Sequence, residues 1–321
     1  MNFQQLTYVV EISKCGSINK AANKLFLSQS GISTAIRELE EELGIQFFVR
    51  SNRGVEFTSD GREFLSYAAS LLEQKQWIET RYGDARNAAP ATHLSVSSQR
   101  YPFTEDAFIE LLQSPEAARY QFSIREVDMD AVIDDVYDHR ADVGVICLTE
   151  LTEKIIFRYL DSRALVFHEI AEVDPCVYVR RGHPLAERLA VTEADLSGYP
   201  YVSFEREQGV AVDFSEEYRM LSLKKPARHI RVNSRSAMLR VLSYTDGFTT
   251  GSGLITKSSG YRKIITLPLA EKSGIRIGWI ALKGGKLSAQ AERFLKLLEK
   301  NILESIRFTS RARQSRKEET L

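Results

Sequence analysis

Along the first stretch of the chain, apolar residues recur every three or four positions between polar ones. Phe3, Leu6, Val9 and Val10 predict a helix over 3–14 that stops at Gly16, a residue suited to a left-handed cap. Ser17 offers an N-cap oxygen to a second, two-turn helix whose apolar face is Ile18, Ala21, Ala22 and Leu25. After Phe26 and Leu27, Ser28 caps a third helix carrying Ile32, Ala35, Ile36, Leu39 and Leu43, closed by Gly44. On periodicity alone, a partnerless helical bundle fits these three helices as well as a helix-turn-helix does.

The period then shortens. Phe47 to Thr58 reads as two β-prone runs around a polar turn, the form of a wing. From Ser59 to about Arg86 the pattern is helical again. Phe64, Ala68, Leu71, Lys75, Ile78 and Tyr82 alternate four and three residues apart, which is a heptad seam and predicts a dimerisation helix. Residues 87–92, with small side chains and Pro90, form a hinge.

Beyond the hinge, strand-like runs alternate with helical ones. Strands are expected at Leu94–Ser98, Phe122–Val127 and Val143–Leu148, with helices from Glu105 and Ala131, an order that predicts a parallel sheet covered on both faces. A second set has strands near Val177–Val179, Tyr201–Phe204, Ile230–Val232 and Gly247–Thr250, and helices near Val212–Leu221 and Ser236–Ser243. Two α/β lobes follow, and a final strand Ile275–Leu282 with helix Ala289–Leu303 needs a sheet to join. The segment Arg307–Leu321, rich in Arg, Lys and Glu, reads as a solvated or disordered end.

Composition narrows the class. With 43% apolar and 27% charged residues over 321 positions, the chain has enough apolar side chains for more than one core. No run approaches the ~18 apolar residues of a membrane span, and the first residues lack the basic-then-apolar order of a signal peptide, so a cytoplasmic location is expected. Formal net charge is zero, so the balance of the whole chain gives no argument for nucleic acid. Cys15, Cys147 and Cys176 sit beside apolar neighbours without metal-type spacing and read as buried thiols. The histidines at 93, 139, 168, 183 and 229 are scattered, and His183 precedes a proline in what reads as a surface turn. Neither Gly251-Ser252-Gly253 nor Lys283-Gly284-Gly285-Lys286 has the spacing of a nucleophile elbow or a phosphate loop. No enzyme, metal site or cofactor is expected.

Candidate chemistry lies on two surfaces. The outward face of the third helix begins with Ser28, Gln29, Ser30, Ser33, Thr34 and Arg37, short or amide side chains of the kind that meet base edges in a major groove. Arg50 and Arg53, near the wing turn, suit phosphates or a narrow minor groove. In open α/β sheets ligands sit beyond the carboxyl ends of strands, which here are Ser98, Gln99, Arg100, Thr149, Ser203, Thr249 and Thr250. Their hydroxyls, amide and guanidinium suit a small polar or anionic metabolite. Each one alone is equally an ordinary cap or turn former; only their joint location carries weight.

These residues carry a family resemblance. The stretch Ser17–Leu25, then Leu27-Ser28-Gln29-Ser30, Ile32-Ser33, Ile36, Leu39-Glu40, Leu43-Gly44, Phe47-Phe48, Arg50, and Thr58 with Gly61-Arg62, resembles the LysR-type regulators. Arg181 to Ala186 with Ala194-Asp195-Leu196, and Val232-Asn233 with Ala237-Met238-Leu239, resemble the effector domain of that family. Ser30-Gly31 departs from the family's usual Pro followed by Ala or Thr, and Thr245–Thr250 departs from its more apolar pattern. The resemblance implies an α/β chain with an N-terminal winged helix-turn-helix (1–58), a linker or dimerisation helix and hinge (59–90), and a two-lobed, periplasmic-binding-protein-like (type 2) effector domain (91–304), before a charged tail (305–321). Lobe 1 would take about 91–161 and 269–304, and lobe 2 about 162–268, the chain crossing twice. It further implies double-stranded DNA and a small-molecule effector as partners, a homodimer through the linker helix, a homotetramer, contact with RNA polymerase, and no membrane. A metabolite-binding module without DNA function accounts for the second half but not for the first ninety residues.

Overall fold

The computed structural model describes residues 1–51, 54–82, 92–113, 120–150, 152–205, 228–256, 263–270 and 274–320. The chain divides into two compact units, Met1–Pro90 and Ala91–Leu321.

In the first unit, α1 (Phe3–Cys15) begins with a reciprocal cap. The Asn2 side chain accepts from Gln5 N, and the Gln5 side chain accepts from Asn2 N. Gly16, at φ 63°, ends it. α2 (Ile18–Lys24) starts at Ser17 and α3 (Gln29–Leu43) at Ser28, whose hydroxyl accepts from Gly31 N at 3.1 Å. Val9, Ile12, Ala21, Ala22, Ile32, Ile36 and Leu39 bury the facing stripes together with Phe47 and Phe48. Leu43, placed on that stripe by spacing, lies at the helix end and stays 39% exposed. β1 (Phe48–Ser51) and β2 (Gly54–Phe57) pair antiparallel as a hairpin.

α4 (Ser59–Tyr82) leaves that hairpin through Thr58, whose hydroxyl donates to Gln46 O (2.6 Å) and accepts from Gly61 N (2.9 Å). Its first turns pack on their own unit. Phe64 stacks on Phe47 with centroids 4.4 Å apart, and Ala68 is fully buried in this unit, so both complete its own core. The three short helices leave that side of the core open, which is why these two positions are taken up at home. Leu71 and Ile78 remain exposed, while Lys75 pairs with Glu79. The side chain of Tyr82, residues 83–86 and most of the hinge lie outside the described residues, as do Arg53 and the side chain of Arg50.

The second unit opens with a five-stranded sheet in the order β4-β3-β5-β12-β6. Its strands are β3 (Thr92–Ser98), β4 (Tyr120–Glu126), β5 (Val143–Thr149), β6 (Leu165–Val173) and β12 (Ile275–Leu282). β3 runs parallel to β4 and β5, but β12 is antiparallel to both β5 and β6. The parallel arrangement expected for β3, β4 and β5 is what the sheet has, while β12, whose direction the sequence left open, returns from the second lobe and enters from the opposite end. α5 (Pro102–Leu112) and α10 (Ala289–Thr320) cover one face, α6 (Met129–Tyr137) and α7 (Glu153–Ser162) the other. β5 is buried at every position, as a central strand between two helical layers must be.

β6 corrects the lobe boundary, since Leu165–Val173 belongs to the first sheet and not to the second lobe. It was hard to read because an edge strand mixes exposed His168, Glu169 and Glu172 with its apolar residues. The second lobe holds β7 (Cys176–Arg180) between β10 (Thr249–Gly251) and β11 (Ile264–Pro268), and the parallel pair β8 (Tyr201–Phe204) and β9 (His229–Val232). Its described helices are α8 (Glu193–Leu196) and α9 (Arg235–Tyr244); the expected helix near Val212–Leu221 lies outside the described residues.

His183 is buried and not on a surface turn. Its Nδ1 accepts from Leu185 N and its Nε2 faces the Asp246 carbonyl, both at 3.1 Å, which requires the neutral ring with its proton on Nε2. Burial pushes its pKa below the ordinary imidazole value, against the opposing pull of the Asp246 carbonyl. The ring thus ties the β7 exit turn to the loop before β10. The charged tail also differs from expectation, because α10 runs on to Thr320. Ile302, Ser305, Ile306 and Thr309 continue the buried stripe at three- and four-residue spacing, and Thr309 Oγ1 accepts from Ile255 N at 3.4 Å.

Candidate DNA-binding and effector-binding sites

The polar face of α3 follows from its own stripe. With Ile32, Ile36 and Leu39 turned inward, Gln29, Ser30, Thr34 and Arg37 are exposed and Ser33 is half-buried. Ser28 serves as the helix cap, and Ser30 Oγ donates to it at 3.4 Å. Gln29 Nε2 donates to Ser33 Oγ at 2.9 Å, which orients the amide over the next turn. Arg37 meets Glu41 only at 3.8 Å with both side chains about two-thirds exposed, a pairing that salt screens and that leaves the guanidinium available. The acidic end of the helix is occupied elsewhere: Glu40 accepts from Phe47 N at 2.6 Å and Glu42 holds the terminal ammonium at 2.5 Å. Arg50 lies on β1 opposite Val55.

The strand-end residues of the second unit fall into two groups. Ser98 Oγ donates to Gln99 O at 2.6 Å and lies 3.2 Å from Thr104 Oγ1 at the start of α5. Gln99 prolongs the sheet, donating from N to Val145 O and accepting from Cys147 N on its Oε1. Thr149, buried at the end of β5, donates from N to Thr152 Oγ1 at 3.1 Å. In the second lobe, Ser203 lies within β8 with its hydroxyl 2.8 Å from His229 Nε2. Thr249 and Thr250 are buried within β10, and Thr250 Oγ1 sits 3.5 Å from the Tyr201 hydroxyl. The Thr249 hydroxyl is 93% buried by residue and has no hydrogen-bond partner among the described residues.

Two contacts join the groups. Arg100, from the first lobe, pairs with Asp128 at 2.6 Å and stacks on the ring of Phe204 from the second, 4.4 Å from its centroid. Arg235, the first residue of α9, pairs with Glu105 of α5 at 2.5 Å and with Glu126 at the end of β4. Sequence reasoning found Arg100 but missed Phe204, Asp128 and the Arg235 cluster. Their partners lie up to 130 positions apart, and no local pattern announces such a pair.

Residues 3–62 match the family model for the bacterial regulatory helix-turn-helix protein of the lysR family, and residues 116–302 match the LysR substrate binding domain. This chain belongs to the LysR family. It is a DNA-binding transcriptional regulator with an effector-binding domain. The regulator is 25% identical over 301 residues to the uncharacterized HTH-type transcriptional regulator YbhD of Escherichia coli K12, covering 90% of this chain and 88% of that one. It is 25% identical over 292 residues to the Hca operon transcriptional activator HcaR of the same organism, covering 85% and 93%. Among solved structures, full-length CbnR complexed with its target DNA shares the fold, with a TM-score of 0.63 at 20% identity over 94% of this regulator and all of CbnR. Among the described residues, no helix is long and apolar enough to cross a membrane, and no cluster of His, Cys, Asp or Glu could hold a metal ion.

Proposed function

We propose that the regulator reads its operator with the first turns of α3, through Gln29, Ser30, Ser33, Thr34 and Arg37 around the capping Ser28, while Arg50 and Arg53 of the wing hold the backbone. The observation that carries this reading is the exposed polar face whose members have at most weak or local partners, on a helix whose other side is locked into the core. Gln29→Ala should relax base preference at one operator position at a cost of about 1–3 kcal/mol. Selection from randomised duplexes measures it, and an unchanged preference for Gln29, Ser33, Thr34 and Arg37 alanine variants alike would overturn the assignment.

The effector is a small polar molecule held between the lobes by Ser98, Gln99, Arg100, Thr149, Ser203, Thr249 and Thr250. Support comes from the buried Thr249 hydroxyl, a polar group that normally has a partner in a folded protein. Arg100 enters with its charge balanced by Asp128, which favours hydroxyl or amide ligands over anions dependent on a full counter-charge. A metabolite at 100 times its dissociation constant should stabilise the chain by ~2.7 kcal/mol in a thermal-shift screen. Thr249→Val, nearly isosteric, should cut that shift; a ligand with its full effect on both Thr249→Val and Ser98→Ala binds elsewhere.

In this reading the chain dimerises through the exposed remainder of α4, with Leu71 and Ile78 as its apolar positions and Tyr82 beyond, and pairs of dimers form a tetramer that contacts RNA polymerase. It works in the cytoplasm and carries out no reaction of its own.

A further inference from the structure

The turn between α2 and α3 contains a conflict between sequence and backbone. Phe26 N donates to Asn23 O and Leu27 N to Ala22 O, the paired bonds of a helix end that reverses through a left-handed residue. That residue is Phe26, at φ 56°. Glycine or asparagine normally fills the position, because a side chain there crowds its own carbonyl. Phe26 gains nothing in compensation from the described fold, since 95% of its surface is exposed, the most of any large apolar residue described, and none of the ring or cation contacts among the described residues involves it. A large ring set in strained backbone and left in water marks a position kept for something outside the domain.

The location says what. Phe26 stands two residues before the cap of α3, continuous with exposed Ser28, Gln29 and Ser30. When the first turns of a recognition helix enter a major groove, the turn that precedes it meets the strand bordering that groove. We propose that Phe26 is a DNA-contacting residue that packs its ring on the deoxyribose of that strand, an apolar anchor carrying neither charge nor base information. The proposal rests on the reading of α3 given above.

The test uses the full chain, with Phe26→Asn, which tolerates the left-handed backbone but removes the ring, and Phe26→Leu, which keeps apolar bulk. Affinity is measured by anisotropy over a salt series on a duplex recovered by selection from randomised DNA and on a scrambled duplex of equal length. Phe26→Asn should weaken both about tenfold (~1.4 kcal/mol), and Phe26→Leu should recover part of the loss. The salt slope should not change, whereas loss of one phosphate contact would flatten it by about 0.9. The melting temperature should hold or rise as strain is relieved. Wild-type affinity in Phe26→Asn, a flattened slope, a lower melting temperature that tracks affinity, or a change in oligomeric mass would each overturn the proposal, the last assigning the ring to a contact between copies. The alanine variants of Gln29, Ser33, Thr34 and Arg37, run in parallel, separate the two readings. If any of them alters base preference while Phe26→Asn binds normally, only the ring contact fails; if Phe26→Asn weakens binding while all four keep the wild-type preference, the ring still touches DNA and the assignment of base reading to α3 fails.

Discussion

Gly61→Ala should unfold the DNA-binding unit at moderate temperature and abolish operator binding while leaving the effector-binding unit intact. A β-carbon built on Gly61 would lie 2.2 Å from the Phe47 carbonyl oxygen and 2.9 Å from its Cα, far inside van der Waals contact with backbone that cannot rotate away. The same carbonyl accepts from Thr58 N at 3.0 Å, so moving it breaks the bond that launches α4. It would also disturb Phe47, fully buried against Phe64. Overpacking typically costs about 1–3 kcal/mol, and an immovable carbonyl places this case at or above ~3 kcal/mol. For a unit of this size that is roughly a 12–24 °C fall in melting temperature. Differential scanning calorimetry of the full chain should resolve an early transition in the variant, and a single unshifted transition would show that α4 can slide to make room.

That close approach was invisible in the sequence, where Gly61 marked only a resemblance. Local chemistry, by contrast, was legible. Ser17 and Ser28 before apolar stripes, and Gly16 and Gly44 after them, predicted three helices that the structure bounds within a residue or two, because capping and helical period act over four or five positions. Leu71 and Ile78 could be read as a seam but Phe64 and Ala68 could not be separated from it, since helical spacing identifies a buried stripe without naming what covers it. The direction of the returning strand stayed open for a similar reason: period and β-propensity locate Ile275–Leu282, but the end from which it enters depends on the path through the second lobe. Among the strand-end candidates, Ser98, Thr149, Ser203, Thr249 and Thr250 are buried and Gln99 Oε1 is taken into the sheet ladder, placements that depend on the packing of the whole sheet and not on local pattern. What the sequence withheld most completely is the charge that crosses between the lobes.

Arg235→Ala should loosen the closed arrangement of those lobes. The Arg235 side chain is 13% exposed and is the cation between Glu105 and Glu126, which belong to different elements of the first lobe. Without it two carboxylates face each other across a half-buried junction, and the stacking of Arg100 on Phe204 and the hydrogen bond from Ile255 to Thr309 remain among the contacts described between the lobes. Breaking a buried ion pair costs about 3–5 kcal/mol; with the Glu105 side chain 45% exposed, water recovers part of that, and about 2–3 kcal/mol is expected. Hydrogen exchange on the full chain should show protection falling roughly 30- to 150-fold at the start of α5 and in the segments around Phe204 and Val232, with α6, α7 and α10 over the first sheet unchanged. An effector that needs closed lobes would bind weaker by the same factor, because it must supply the closure that Arg235 no longer favours. Reversing the pair separates electrostatics from packing. Arg235→Glu alone should open the lobes further than alanine, and adding Glu126→Arg should restore most of the protection. If the double variant exchanges as fast as Arg235→Glu alone, the contact matters for the shape of the arginine and not for its charge. If all three variants exchange like the wild type, closure rests on other contacts.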